Sequence, residues 1–82
     1  NIPVVLGRLY LQTDRAADAA RVLRVVYERE NGALEAGVLL AQALDRVDRR
    51  DEALQVLEQV LASEPRFFRA RLMQAEIFER AR

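Results

Sequence analysis

Residues 48–65 read DRRDEALQVLEQVLASEP, and residues 14–31 read DRAADAARVLRVVYEREN. In the first stretch Ala53, Leu57 and Val60 fall at i, i+4 and i+7, with Val56 alongside. In the second, Ala19, Leu23 and Val26 repeat that spacing, with Val22 alongside. Spacing of this kind is the apolar stripe of an amphipathic helix. Asp14-Arg15 and Asp48-Arg49 open the two stretches, and Asp51 and Glu52 are acids suited to a helix N-terminus. Glu64-Pro65 closes one stretch and Asn31-Gly32 the other, the latter a pair that takes the left-handed conformation at a helix end.

Working outward, the rest of the chain is also helical in pattern. Ala, Leu, Arg, Glu and Gln recur throughout, and these are good helix formers. Residues 3–13 present Leu6 and Tyr10 around Gly7, and Pro3 suits a first turn. Residues 34–47 present Leu40 and Leu44 around Ala41, and residues 66–80 present Ala75 and Phe78 with Leu72 and Ile77 nearby. No segment shows the period-two alternation of a strand. Five helices are expected, and their short connections make consecutive helices antiparallel neighbours.

The two quoted stretches align on each other, Asp14 on Asp48, and the register holds beyond them. Val4 meets Val38, Leu6 meets Leu40, Arg15 meets Arg49, and Val22-Leu23 meets Val56-Leu57. Gly7, Ala41 and Ala75 fall at one position, where a small residue lets a neighbouring helix approach closely. Tyr10, Leu44 and Phe78 fall at the next and fill the gap beside it. A large residue at Ala53 is expected to overpack such a contact, at a cost of about 1–3 kcal/mol.

A period of about 34 residues, with two helices in each, resembles the tetratricopeptide repeat. Leu6-Gly7 and Tyr10 look like that family's Leu-Gly and Tyr, and Leu40-Ala41 and Leu44 stand in for them in the second unit. Ala53, Leu57, Val60 and Pro65 look like its Ala, aromatic, Ala and closing Pro. Ala19, Leu23, Val26 and Asn31 form a weaker first copy. The resemblance spans the chain as units at 1–33 and 34–67 and the first helix of a third at 68–82. There are departures. The large aromatic near the start of each first helix is Pro3, Gly37 and Arg71 here, the turn glycine is Asp14 and Asp48, and Gln74 takes an apolar place.

The resemblance implies an all-α fold, with helix-turn-helix repeats stacked as a right-handed α-solenoid. It also implies that first helices line a concave groove that binds a peptide or partner helix. Mapped onto this chain, Val4, Val38 and Leu72 form one row of the groove, and Arg8, Gln42 and Glu76 form the next. Leu11, Asp45 and Glu79 follow, with Gln12, Arg46 and Arg80 beside them, and Asn1, Glu35 and Arg69 lie at the near edge. The apolar row has two readings, an open seam or packing between helices. Some family members bind a C-terminal carboxylate through Lys and Asn. The corresponding places here are Val4, Arg8, Leu39, Arg69 and Met73, where only the two Arg suit an anion, which argues against that ligand.

Composition narrows the chemistry. The 82 residues are 51% hydrophobic, too apolar for a disordered tail, and Asn1 rather than Met opens the chain, so a longer parent is expected. There is no Cys, His or Lys. That excludes disulfides, Cys/His zinc sites, His-dependent triads, a Walker lysine and a pyridoxal phosphate lysine. No catalytic residue, cofactor or metal is assigned, and the protein reads as no enzyme. Asp45, Asp48, Asp51 and Glu52 form an acidic cluster, for which helix capping is the leading reading over a cation site. Arg66-Phe67-Phe68-Arg69-Ala70-Arg71 mixes cations and rings as single-strand nucleic-acid sites do. Packing of both rings at the joint is the leading reading.

Thirteen Arg balance thirteen acids, against a general nucleic-acid role. The balance is uneven along the chain: residues 1–31 carry +1, residues 32–65 carry −4, and residues 66–82 carry +3. Arginine as the sole base suits a GC-rich, bacterial coding sequence. No signal segment and no run of the ~20 apolar residues of a membrane span is seen. Neither cytoplasm nor periplasm is favoured. The last helix presents Leu72, Met73, Ile77 and Phe78 with no further helix to cover them. A second expectation follows: self-association, or docking within a longer chain, through this end.

Overall fold

The computed structural model describes residues 2–29 and 34–80. Five helices follow one another: α1 (Ile2–Gln12), α2 (Ala16–Arg29), α3 (Leu34–Arg46), α4 (Arg50–Ser63) and α5 (Phe68–Arg80). Among the described residues there is no strand. Both ends of α2 reappear one period on as the ends of α4, and both ends of α3 reappear as the ends of α5. Asn1 and the Asn31-Gly32 stop lie outside the described residues.

The turns explain why the register survives without glycine. Asp14 and Asp48 have φ of 63° and 65°, the left-handed region. Asp tolerates that conformation better than most residues with a Cβ. In the second turn the Arg49 N–H donates to the Leu44 carbonyl at 2.9 Å, and the Asp48 N–H donates to the Asp45 carbonyl at 3.2 Å. This is the Schellman pairing, with the left-handed residue where glycine usually stands. The first turn repeats the long bond from Arg15 N–H to the Tyr10 carbonyl at 2.7 Å, and the Arg15 guanidinium lies 4.8 Å from the centre of the Tyr10 ring. Glycine relieves the Cβ crowding of this conformation, so Asp48→Gly is expected to raise stability by up to about 1 kcal/mol and Asp48→Val to lower it by about 1–2 kcal/mol. Urea unfolding of the two variants checks the pair; equal midpoints would remove the argument.

The α4–α5 connection ends differently. Glu64 is extended, with φ −141° and ψ 91°, as the ring of the following proline demands. Its N–H still donates to the Val60 carbonyl at 2.9 Å, and its own carbonyl accepts from the Phe67 N–H at 3.0 Å.

The core runs through the middle of the stack. Ala19, Leu23, Ala53, Leu57, Leu40, Ala41 and Leu44 are fully buried. Helix α3 packs against both α2 and α4, and also meets α1 and α5. Gly7 permits the α1–α2 approach, since a Cβ there would lie 2.6 Å from the Leu23 side chain. Gly37 has the same role in α3, where an added Cβ would meet Val60 Cγ2 at 2.6 Å and the Tyr27 ring at 2.9 Å. The departure at Gly37 therefore has a physical reason: the ring that fills this space comes from α2. The Tyr27 hydroxyl donates to Gln59 Oε1 at 2.9 Å, and burial raises its pKa above the usual value of 10. The stability contributed by the neutral phenol is thus lost only as pH climbs through that raised value.

The ends of the stack depart from the sequence expectations. Ile77 is fully buried, 0% exposed, and belongs to the core, so it is not left uncovered at the last helix. Its counterpart Ala43 is buried at the same position in α3, so this face turns inward in both α3 and α5. Met73 is half-buried against the core. Leu72 and Phe78 are 49% and 58% exposed, as expected, and Ala75 between them is exposed as well. Their counterparts Val38, Leu44 and Ala41 are buried in α3. Of the two adjacent rings, Phe67 packs against the core while Phe68 is 68% exposed, so only one closes the joint. At the other end Val5, Leu6 and Leu9 on α1 are exposed, although Leu39, Leu40 and Ala43 at the same register are buried.

Candidate functional site

The first helices α1, α3 and α5 share one face, and two troughs run along it. The first, of about 250 Å³, is lined by Arg8, Leu11 and Gln12 of α1, Leu39, Gln42 and Arg46 of α3, and Arg69 of α5. The second, of about 420 Å³, is lined by Gln42, Asp45 and Arg46 of α3 with Met73, Glu76, Glu79 and Arg80 of α5. Gln42 and Arg46 belong to both, so the troughs adjoin across α3. The register puts these side chains here. Arg8, Gln42 and Glu76 each stand one period apart, as do Gln12, Arg46 and Arg80.

The polar rows expected from sequence do line this face. Arg8, Leu11, Gln42, Asp45, Arg69 and Glu76 all border one trough or both, and so do Gln12, Arg46, Glu79 and Arg80. The apolar row does not. Val38 is buried, 3% exposed, and packs within the core; Val4 is half-buried against that core; Leu72 is exposed but borders neither trough. Of the two readings of that row, packing between helices describes Val38. Leu11 is itself largely buried and forms the floor of the first trough. Sequence reasoning placed these side chains in rows but missed how they pair. Those partnerships join different helices, and no spacing within one helix signals them.

Ion pairs shape the surface. Arg8 pairs with Glu35, joining α1 to α3. Asp45, whose side chain is 5% exposed, pairs with Arg80 at 2.5 Å and lies 3.9 Å from Arg50 Nε, so one buried carboxylate ties α3 to α4 and α5. Arg50 Nε is buried without a hydrogen bond of its own, and the Asp45 charge is what offsets it. Arg46 donates from Nη1 to the Leu11 carbonyl at 2.7 Å, which holds its guanidinium over the junction of the troughs.

The expected acidic cluster is dispersed. Asp45 turns to Arg80 and Arg50, and Glu52 pairs with Arg49 and, at 3.8 Å, with Arg24. Arg49 and Glu52 repeat the Arg15–Asp18 pair one unit earlier. Among the described residues no group of three or more metal-ligating side chains is assembled. Nor is any described helix long and apolar enough to cross a membrane.

The family model for the tetratricopeptide repeat matches residues 10–77. No curated protein and no solved structure matches the chain significantly. The matched family mediates protein–protein interaction and is typically non-catalytic. Paired helices in one repeated register, left-handed turns at equivalent aspartates and a match across most of the sequence lead to one assignment: the chain belongs to the tetratricopeptide repeat family.

Proposed function

We propose that this protein is a non-catalytic interaction scaffold that holds a peptide or a partner helix on the face formed by α1, α3 and α5. The observation that carries this reading is the pair of adjoining troughs, open along that face and bordered by side chains with unused hydrogen-bonding capacity. Gln42 borders both troughs and is the natural place to block them. Peptides selected from a display library on the wild-type chain are expected to lose at least tenfold in affinity for Gln42→Trp, at an unchanged melting temperature. If selected peptides bind the variant as well as the parent, the assignment of this face fails. Val38→Glu is no substitute test, because it places a charge in the core.

A second reading has its own observation. Leu72 and Phe78 are exposed on α5 although Val38 and Leu44, at the same register, are buried in α3. Exposed apolar side chains of this size favour association, each worth about 1.5–3 kcal/mol if buried. Light scattering over a range of concentrations separates the two. A constant mass of 9.4 kDa favours the trough face as the working surface. A mass that rises with concentration and returns to the monomer value in Phe78→Asp favours the end face.

A further inference from the structure

The two troughs differ in charge once internal pairs are removed. Arg8 is neutralised by Glu35, and Arg80 by Asp45. What remains at the first trough is Arg46 and Arg69, neither paired with a carboxylate among the described residues. What remains at the second is Glu76 and Glu79, neither paired with a base among the described residues, with Arg46 at the border. The chain is neutral overall, so this separation is local and cannot come from net charge. Arg46 is also held in place by the Leu11 carbonyl, which lowers the ordering cost of using it.

We infer that the partner is a peptide carrying one acidic and one basic side chain about three residues apart, the acid against Arg46 and Arg69 and the base against Glu76 and Glu79. This rests on the peptide-binding reading of the same face. The spacing follows from geometry. The troughs flank α3, so their centres lie about one helix spacing apart, about 8–10 Å. An extended chain advances about 3.3 Å per residue, so three residues cover that distance. Peptides with like charges at both places meet repulsion at one trough, and peptides with neutral side chains gain nothing at either.

The test uses end-capped peptides of about eight residues in an Ala/Gln/Ser background, with Asp-x-x-Arg, Asp-x-x-Asp, Arg-x-x-Arg or uncharged residues at the centre. Binding is measured by fluorescence anisotropy at about 0.02 M and about 0.5 M salt. Exposed charge pairs are each worth a few-fold, so the mixed peptide is expected to bind about tenfold tighter than the uncharged one at low salt. The difference should fall to about threefold or less at high salt. Glu76→Arg, at an exposed position, is expected to shift preference toward Asp-x-x-Asp, and Arg69→Glu toward Arg-x-x-Arg. If the uncharged peptide binds as tightly as the mixed one and Gln42→Trp blocks both, the groove reading stands and the charge inference is wrong. If the display library and all four peptides fail to bind, the groove reading fails and takes this inference with it.

Discussion

Leu57→Ala is expected to lower the unfolding free energy by about 2–5 kcal/mol. Leu57 is fully buried in α4, in the middle of the stack, and belongs to the cluster that joins all five helices. Removing its isobutyl group forfeits the transfer free energy of the side chain. It also leaves a cavity within a cluster, Leu40, Leu44 and Val60 among its members, that is already packed and cannot collapse fully. A chain of 82 residues has a total stability of about 4–12 kcal/mol, so the substitution removes a large share of it. Val25→Ala makes the control: Val25 is exposed on α2, and its truncation should cost about 0.5 kcal/mol or less. Urea unfolding followed by circular dichroism reads both. A loss under about 1 kcal/mol for Leu57→Ala would mean that α4 is not packed as described.

Asp45→Ala is expected to cost about 2–3 kcal/mol and to act chiefly on α5. The Asp45 carboxylate is almost wholly buried and is shared by Arg80 of α5 and Arg50 of α4. Without it two guanidinium groups lose their shared counter-charge. Both side chains are partly exposed, 57% and 41%, so they can turn toward water, which keeps the loss below the upper range for buried pairs. Helix α5 lies at one end of the stack and, among the described residues, packs on α3 and α4 alone, so it is the element that this loss frees first. Amide exchange should accelerate across α5 while α2 keeps its protection. Because α5 forms one wall of the larger trough, peptide binding on that side should weaken in parallel. Uniform acceleration of every helix would show that the carboxylate supports the whole stack rather than its last member, and unchanged exchange would show that the pair contributes nothing.

Much of this molecule is legible in its sequence. The apolar spacing of Ala19, Leu23 and Val26, repeated by Ala53, Leu57 and Val60, identifies helices because side chains three and four residues apart share a face. The match of Asp14-Arg15 with Asp48-Arg49 marks equivalent turns, and both aspartates do take the left-handed conformation. The rows built on Arg8, Gln42 and Glu76 follow from the period alone, since repeats stack with equivalent side chains aligned.

Burial is less legible, because a residue's own helix does not decide it. Val38 and Leu72 hold the same register position and the same apolar character, yet one is covered within the stack and no described helix covers the other. Ile77 looked like part of an open end but occupies the inward face also held by Ala43. The Tyr27 ring lies against Gly37, and the Asp45 carboxylate of α3 meets Arg80 of α5; neither contact has a local signal. Sequence by itself determined the period, the helices, the turns and the polar rows that border the troughs, all of which depend on residues close together in the chain or one period apart. Which faces are covered, and which charges are left unpaired along the groove, was decided only by the tertiary structure, because both depend on neighbours supplied by other helices.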